Sequence, residues 1–316
     1  MSKLIKQAFT LIELLVVIAI IGILSGLIVV SMSGVNQKAT IAKAQVFSNS
    51  LRNSLLLNIV SEWRFDGTTA DGSVATVNDV LNTWSNVNNG TVAFPPTVKT
   101  NSSCVSGSCL LFSGAAASGS YNYVDFGTNS SLSVGLGDAT VSLWVKFDNA
   151  TAPMNETMIN CGASAATIGS DGYWIFRYNG TNRLYVRFMD GETAAYAQGY
   201  LSAVDSLVAD TWYNIVVVFT RASTAQAYIN GANTGASFSI TAQQGSVVNS
   251  LGYKIGSYSS SAHRLAGLMD DIRLYNAAMP TSQIKEQYYA GLNSLLSSGQ
   301  ITEKEYSERI NSIAKQ

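Results

Sequence analysis

Near its N-terminus the chain has the hydrophobic pattern of a long apolar helix. Residues 14–30 carry no charged side chain, and residues 11–30 carry only Glu13. A helix rising about 1.5 Å per residue crosses a bilayer with a stretch of this length. From Val35 to Leu55, apolar residues continue at helical spacing among polar ones. We therefore predict one transmembrane and assembly helix over residues 9–60.

From Glu62 onward the period of the pattern changes to two, which is typical of β-strands. Strands are predicted at 141–147, 173–178, 184–188, 212–220 and 226–229. Asn179-Gly180 and Asn230-Gly231 indicate hairpin turns, because both residue types tolerate a positive φ. Many short strands with polar turns between them favour an antiparallel β-sandwich.

Beyond Pro280 the pattern becomes helical again. Thr302-Glu-Lys-Glu305 is a capping box that begins a short helix with apolar side chains on one face. We predict a short C-terminal helical tail over 291–316, which packs on the head or on a neighbouring subunit; a partly disordered tail is the alternative. The predicted fold class is α+β, mainly β, with the sandwich over residues 61–290.

Composition narrows the classes of function. The 316 residues carry 19 basic and 20 acidic side chains, a formal net charge of −1, and only 12% charged residues. No cluster of Lys and Arg is present, which argues against nucleic-acid binding. One histidine and three cysteines argue against a His/Cys zinc site.

The cysteines predict one local disulfide. Cys104 and Cys109 close a small loop, and such a bond stabilises an exported domain by roughly 2 kcal/mol. Cys161 is left over and is interpreted as a buried, small apolar residue rather than an intermolecular bridge. His263 lies in a polar run and is interpreted as an exposed loop residue rather than a ligand or base.

Glu13 needs an explanation, since a carboxylate within a spanning helix costs about 2.5–3.5 kcal/mol. Lys3 and Lys6 precede the helix and place the N-terminus in the cytoplasm and the rest of the chain outside. Either Glu13 snorkels to the headgroups, or it pairs with a terminal amine created by cleavage before Phe9. The residues alone leave both interpretations open.

The segment from Lys6 to Leu24, KQAFTLIELLVVIAIIGIL, resembles the N-terminus of type IV prepilins and pseudopilins. The resemblance implies that a prepilin peptidase removes leader residues 1–8 by cutting between Ala8 and Phe9, and that Phe9 is N-methylated. It implies residence in the inner membrane and then assembly with identical or other pilins, where Glu13 contacts the Phe9 amine of a neighbour. Ala8 replaces the family's usual Gly, and the helix lacks the prolines that often kink it.

Seven segments between residues 62 and 290 resemble, in order, the laminin-G-like, concanavalin A-type jelly-roll family. They are 62–66 (EWRFD), 88–91 (NNGT), 123–126 (YVDF), 141–145 (VSLWV), 212–216 (WYNIV), 227–231 (AYING) and 267–276 (GLMDDIRLYN). The resemblance implies two packed sheets, ligand loops at the rim or concave face, and often one structural calcium. Asp66 and Asp270 are the predicted calcium ligands, helped by backbone carbonyls or Asn82; the alternative is that these acids are solvated strand-end residues.

The same fold hosts glucanases, which need two carboxylates about 5–9 Å apart. Asp190-Gly-Glu192 is the nearest candidate, but it follows a strand and has the pattern of a turn. Asp270 and Asp271 are adjacent and are predicted to face opposite sides of the sheet. No catalytic residue is predicted. Candidates for stacking on sugars are the aromatic residues Trp144, Tyr173, Trp174, Tyr185 and Tyr196.

Together these patterns predict a type IV pilin-like structural subunit of a cell-surface filament. Its laminin-G-like head would bind glycans or mediate adhesion to surfaces. Two alternatives stay open at this point. One is a pseudopilin of a type II secretion or DNA-uptake machine, and the other is a membrane-tethered lectin or glycosidase that does not polymerise.

Overall fold

The computed structural model describes most of the head and a short part of the N-terminal segment. The described residues are 11–12, 14–22, 58–66, 72–73, 76–77, 90–94, 96–114, 122–148, 155–162, 171–193, 195–248, 252–258 and 263–314. The chain divides into two compact units, Met1–Asn49 and Ser50–Gln316. We call the second unit the head.

In the first unit, residues 11–12 and 14–22 are helical. Their apolar side chains are exposed, as Leu11 and Ile12 show. No helix within the described ranges is both long and apolar enough to span a membrane. Ala8, Phe9 and Glu13, with the amphipathic half of the predicted helix, lie outside the described residues.

The head is an antiparallel β-sandwich, as its period-two pattern predicts. In the first sheet the strands lie in the order β15-β14-β13-β8-β17-β6-β5-β2, and β1 also pairs with β17. Their bounds are β1 (Ile59–Trp63), β2 (Gly72–Ser73), β5 (Thr97–Thr100), β6 (Ser108–Ser113), β8 (Ala139–Phe147), β13 (Trp212–Phe219), β14 (Thr224–Ile229), β15 (Ala232–Ser239) and β17 (Ala266–Tyr275).

The second sheet has the order β12-β11-β10-β9-β16-β7-β4-β3. Its bounds are β3 (Thr76–Val77), β4 (Gly90–Phe94), β7 (Tyr123–Asp125), β9 (Glu156–Cys161), β10 (Asp171–Tyr178), β11 (Arg183–Asp190), β12 (Ala197–Tyr200) and β16 (Tyr253–Ile255). The non-sequential strand order in both sheets is that of a jelly roll rather than a simple meander.

The core lies between the two sheets and is built by alternation along the strands. On β11, Leu184, Val186 and Phe188 are fully buried in it, while the residues between them point away. Trp63 packs on Phe126 with ring centroids 4.4 Å apart. Large side chains interlock in this way throughout the layer, and burial of this kind is the main favourable term in folding.

Cys161 is fully buried in the same core, as the sequence predicts for a small apolar residue. Burial raises the pKa of its thiol, and the nearby Asp171 carboxylate raises it further. The thiol therefore stays protonated and has no access to another chain's cysteine.

Two predicted turns are resolved in the head. Asn230 and Gly231 have φ values of 53° and 77°, so they form the two-residue turn that their sequence predicts. The β10–β11 hairpin is confirmed, but Tyr178 pairs with Arg183. The loop therefore contains four residues, 179–182, and not only the Asn-Gly pair.

The C-terminal residues form a helical hairpin of α1 (Thr281–Ser297) and α2 (Glu303–Ala314). α1 begins directly after Pro280, where the sequence pattern becomes helical, and it spans residues 290 and 291, between which the domain boundary was predicted. The Thr302 hydroxyl accepts a hydrogen bond from the Glu305 N–H at 3.2 Å, as a capping box requires.

This hairpin covers the outer side of the first sheet. The Tyr288 ring stacks on Trp144 of β8, with centroids 5.7 Å apart and 16° between the planes. Leu292 and Leu295 of α1 are buried with Trp212 in the same cluster. The hairpin is part of the head and not a loose tail, because its apolar face and the sheet's outer apolar face bury each other.

Candidate functional site

The predicted calcium ligands lie against the disulfide loop. Cys104 and Cys109 are joined by the predicted disulfide. The N–H groups of Val105 and Ser106, inside this loop, donate to Asp270 Oδ2 at 2.9 and 3.1 Å. The Ser108 N–H donates to Asp66 Oδ1 at 3.1 Å. The structure therefore brings Asp66 and Asp270 together, with the loop held by both carboxylates.

Asp271 joins this cluster, although alternation predicts that it faces away. Its φ is 48°, and the pairing of β17 with β8 shifts between Asp270 and Arg273. A β-bulge of this kind breaks the alternation of side chains. The expectation that Asp270 and Asp271 face opposite sides was therefore wrong: Asp271 lies within electrostatic reach of both Asp66 and Asp270.

The cluster carries more negative than positive charge. Glu62 is bound by two guanidinium groups, those of Arg64 at 2.7 Å and Arg273 at 2.8 Å. Burial raises the pKa of Asp66, and repulsion from Asp271 adds to it. Burial and repulsion from Asp271 also raise the pKa of Asp270 well above its ordinary range, against the hydrogen bonds that it accepts.

These residues meet part of what a calcium ion needs. Asp66 Oδ2 takes no hydrogen bond from the described residues, and the buried Asp271 Oδ1 has no hydrogen-bond partner and only an ion pair with Arg273 at 3.3 Å. Across the parts of the chain that are described, however, no group of three or more side chains is arranged to hold a metal. A calcium ion here would require backbone carbonyls and water for its remaining ligands.

A second candidate site is the outer side of the second sheet. Alternation along β10 buries Tyr173 and Ile175 in the core and turns Trp174 and Phe176 outward. The aromatic residues on this side form a separate cluster, which we call the aromatic face: Trp174, Phe176, Tyr178, Tyr185, Tyr200 and Tyr258. Within the described ranges the helical hairpin packs on the first sheet and leaves this face uncovered.

The rings of the aromatic face are packed against one another. Trp174 and Phe176 form its floor, with Trp174 only 3% exposed and its indole N–H donating to Thr157 Oγ1 at 2.9 Å. Tyr200, 36% exposed, lies on top and meets Tyr185 edge-on at 4.7 Å. Mutual packing fixes the ring orientations, so the face offers rigid apolar surfaces to a ligand.

Two arginines of β11 lie on the same side. Arg183 lies over the Tyr200 ring at 4.2 Å and donates from Nε to the Ser202 carbonyl at 2.8 Å. Arg187 lies over Tyr196 at 4.8 Å and over Trp174 at 5.1 Å. Cation–π contacts of this kind hold the guanidinium groups in place.

His263 belongs to this site and is not the free loop residue expected from the sequence. Its ring meets Trp174 edge-on at 4.9 Å, and it is half-buried. Burial lowers the pKa of His263, and the neighbouring Arg187 charge lowers it further. The imidazole is therefore neutral at pH 7.

Of the five aromatic residues proposed for sugar stacking, the structure places three at this site. Trp174, Tyr185 and Tyr196 lie on the outer side, whereas Tyr173 is in the core and Trp144 is under the hairpin. The site also contains residues that were not predicted from the sequence: Phe176, Tyr178, Tyr200, Tyr258, Arg183 and Arg187. The signal that finds most of them is the phase of alternation from Tyr173 and Leu184, once one face is known to be buried.

The carboxylates weighed for glycosidase chemistry form a turn instead. Asp190 Oδ1 accepts the Glu192 and Thr193 N–H groups at 3.1 and 2.9 Å, and its Oδ2 accepts the Gly245 N–H at 2.9 Å. Burial favours a higher pKa for Asp190, but these hydrogen bonds outweigh it and lower the pKa. Asp190 thus holds two loops together.

Two protein families match this chain, one in the head and one at the N-terminus. Residues 118–285 match the concanavalin A-like lectin/glucanases superfamily, and residues 5–29 match the prokaryotic N-terminal methylation motif. The chain thus joins the motif of a prepilin to a lectin-like domain. No curated protein matches it.

Similar solved structures include the binding domain of Paraclostridial Mosquitocidal Protein 1, with 15% identity and a TM-score of 0.56 over 76% of this chain and 53% of that one. Another is the botulinum neurotoxin serotype D ligand-binding domain in complex with N-acetylneuraminic acid, with 15% identity and a TM-score of 0.54 over 76% and 52%. The chain spans about half the length of these structures, and the likeness is one of fold. Because the superfamily match covers more than half of its 316 residues, the chain belongs to the concanavalin A-like lectin/glucanase superfamily.

Proposed function

We propose that this chain is a type IV pilin-like structural subunit whose head binds glycans at the aromatic face. The methylation motif at residues 5–29 supports the filament role. The observation that carries the binding role is the outer side of the second sheet, which the helical hairpin does not cover and where packed rings and two arginines lie together. Sugar rings stack on such surfaces, and their hydroxyl groups accept hydrogen bonds from guanidinium groups.

Assembly of the filament follows from the N-terminal sequence. Cleavage after Ala8 leaves Phe9 with a free amine, four residues from Glu13. In a bundle of these helices the Glu13 carboxylate of one subunit neutralises the amine of another. An unpaired charge in an apolar environment is costly, so this pair sets the axial register of the subunits.

Replacing Glu13 tests the filament role. In Glu13→Ala, membrane insertion is expected to be unchanged because the helix becomes more apolar, while incorporation into surface filaments is lost. Glu13→Asp keeps the charge and is expected to retain partial incorporation. Mass spectrometry of sheared filaments gives the measurement and also the first residue of the chain. Normal incorporation of Glu13→Ala would leave a membrane-tethered lectin as the better description.

Stacking on the aromatic face can be tested with single substitutions. Tyr185→Ala and Tyr200→Ala are each expected to weaken glycan binding about two- to tenfold, since one aromatic contact contributes about 0.5–1.5 kcal/mol. The control is Tyr289→Ala, which removes a partly buried tyrosine of α1, in the helical hairpin on the other sheet. Binding is measured on a glycan array with the full-length chain in a detergent without a sugar headgroup. Equal losses for all three variants would contradict the proposed location.

The head is proposed to bind without catalysis. Asp190 is occupied by backbone N–H groups, and Glu192 is exposed beyond the end of β11. Burial raises the pKa of Glu156 to about 7, which would suit a general acid. Its side chain is 1% exposed, however, and is bound to Arg177 and to the Ala266 N–H on the core side of the sheet. A sugar on the aromatic face has no access to it.

We further propose a structural calcium ion at the Asp66–Asp270 cluster. Glu62, Asp66, Asp270 and Asp271 lie with Arg64 and Arg273, so four acids face two bases, and the excess of acids contributes to the raised pKa of Asp66 and Asp270. A divalent cation bound by Asp66 and Asp270 would offset this excess and hold the disulfide loop to the sheet.

Chelation tests the calcium site directly. Saturating calcium at about 100 times its Kd would stabilise the head by about 2.7 kcal/mol, or roughly 5–10 °C in melting temperature. The shift is expected in the full-length chain and is expected to disappear in Asp66→Asn. Asp205→Asn, on an exposed turn elsewhere on the head, is the control. An identical melting temperature with calcium and with chelator would contradict the proposed calcium site.

A further inference from the structure

The outer side of the second sheet carries a row of polar side chains that the strand register aligns. Arg187 of β11 lies between Gln198 of β12 and Trp174 of β10. Trp174 lies opposite Asn160 of β9, which in turn lies opposite Lys254 of β16. Directly paired residues point to the same side of a sheet. Arg187 therefore belongs to a row of paired residues, Gln198, Arg187, Trp174, Asn160 and Lys254, that runs across the strands on the side of the aromatic face.

Several basic residues of the head have an acidic partner, whereas Arg187, like Arg183 on the same strand, has none among the described residues. Lys254 pairs with Asp125 at 3.4 Å, and Arg309 pairs with Glu305 at 2.7 Å. Arg187 makes no ion pair with the described residues, and its Nε is buried without a hydrogen-bond partner. The chain segments 149–154, 163–170 and 259–262, which adjoin β9, β10 and β16–β17, contain no Asp or Glu.

Aromatic rings surround the Arg187 guanidinium and reduce its hydration. Its Cζ lies 4.8 Å from the Tyr196 ring centroid, 5.1 Å from that of Trp174 and 5.9 Å from that of Tyr185. Its Nε is buried, so a ligand would reach the Nη groups. Guanidinium N–H groups can form two parallel hydrogen bonds to a carboxylate, and the low local dielectric strengthens the pair.

A buried arginine without an acidic partner in the described part of the chain lies next to His263 in the sequence. Arg264 follows His263 and pairs with Ser257 across the chain reversal. It is 6% exposed, and its Nε and Nη1 have no hydrogen-bond partner. A buried arginine is usually neutralised by an acidic side chain, as Arg177 is by Glu156. Arg264 is thus a further basic residue without a matching acid among the described residues.

We propose that Arg187 is the specificity-determining residue of the aromatic face and binds the carboxylate of an acidic sugar, a sialic or uronic acid residue within a glycan. This inference rests on the proposed glycan-binding function and narrows it. The sugar ring stacks on the tyrosines of the face, and its carboxylate meets the edge of the Arg187 guanidinium. The single charge of the Arg187 guanidinium matches that of a carboxylate.

The experiment compares each acidic glycan with its own methyl ester, which keeps the shape and removes the charge. Sialyllactose, oligogalacturonate and their methyl esters are titrated into the full-length chain in a detergent without a sugar headgroup. Wild type is expected to bind at least one acid about tenfold or more tightly than its ester. Arg187→Gln is expected to bind acid and ester equally, at the affinity that wild type has for the ester. Arg187→Lys keeps the positive charge but cannot form two parallel hydrogen bonds to a carboxylate, so it is expected to retain part of the preference for the acid over the ester.

Two controls make the outcomes distinct. Arg183→Gln, on the same strand and face, is expected to keep the preference for the acid, and its loss there would overturn the assignment to Arg187. Equal binding of acid and ester by wild type would overturn the inference and leave the glycan-binding function standing. Binding of neither form would overturn both. Binding of dextran sulfate in an Arg187-dependent manner, without binding of either carboxylate, would overturn the choice of carboxylate. Matching melting temperatures show that each variant is folded.

Discussion

Removal of residues 281–316 is expected to unfold the β-sandwich of the head. Tyr288, Leu292 and Leu295 are fully buried against the outer side of the first sheet. Each contributes about 1.5–3 kcal/mol by leaving water, and removal would also expose Trp144 and Trp212 of the sheet. The sum is comparable to the 5–15 kcal/mol by which a typical domain is stable.

A single substitution measures the same contact without truncation. Tyr288→Ala is expected to cost about 3–5 kcal/mol, since it removes a large aromatic side chain stacked on Trp144. Lys304→Ala, on α2, is the control: its side chain is 86% exposed, and its ion pair with Glu308 contributes about 0.3–0.5 kcal/mol. Urea unfolding of the oxidised head, followed by tryptophan fluorescence, gives both values. A truncated head with the stability of the complete one would show that the hairpin only rests on the sheet.

The hairpin also explains why the fold could be predicted from the sequence more readily than the position of the aromatic face. Short apolar runs between polar turns, as in β8, β10 and β13, locate the strands and predict a sandwich. Within Tyr173–Tyr178, however, the sequence YWIFRY is apolar or aromatic on both sides of the strand. The pattern therefore does not distinguish the core side from the outer side. That distinction depends on which sheet the C-terminal helices cover, a long-range property that local periodicity does not contain.

For the acidic cluster, the residues of the site could be predicted from the sequence, but their contacts could not. Its members could be identified from the sequence, because Asp66 and Asp270 occur in segments that resemble a known family. The hydrogen bonds of these acids and the inclusion of Asp271 in the cluster could not be predicted, because they depend on a β-bulge at Asp271. The positive φ of Asp271 is uncommon for a residue other than glycine, and no residue pattern within β17 signals it.

Replacement of Asp270 is expected to have the second largest effect on stability. Its carboxylate is fully buried and accepts N–H groups of Val105, Ser106 and Asp271, at 2.9, 3.1 and 2.8 Å. In Asp270→Ala these donors lose their acceptor, and each unsatisfied buried group costs about 1–3 kcal/mol. We expect a total loss of about 3–5 kcal/mol. Asp66→Asn keeps an oxygen for the Ser108 N–H and, with chelator present, is expected to cost less than about 1 kcal/mol.

The pH dependence of Asp270→Asn separates the charge of Asp270 from its hydrogen bonds. Burial and repulsion from Asp271 raise the pKa of Asp270, so the folded head retains a proton that the unfolded chain releases. The favourable contribution is complete below the ordinary pKa of an aspartate and is lost as the pH rises toward the folded pKa. Asparagine does not titrate, so the destabilisation caused by Asp270→Asn is expected to be largest near pH 4 and to shrink toward pH 8, with chelator present. A destabilisation that grows with pH would show that Asp270 is ionised in the folded head, with its charge compensated by its three N–H donors.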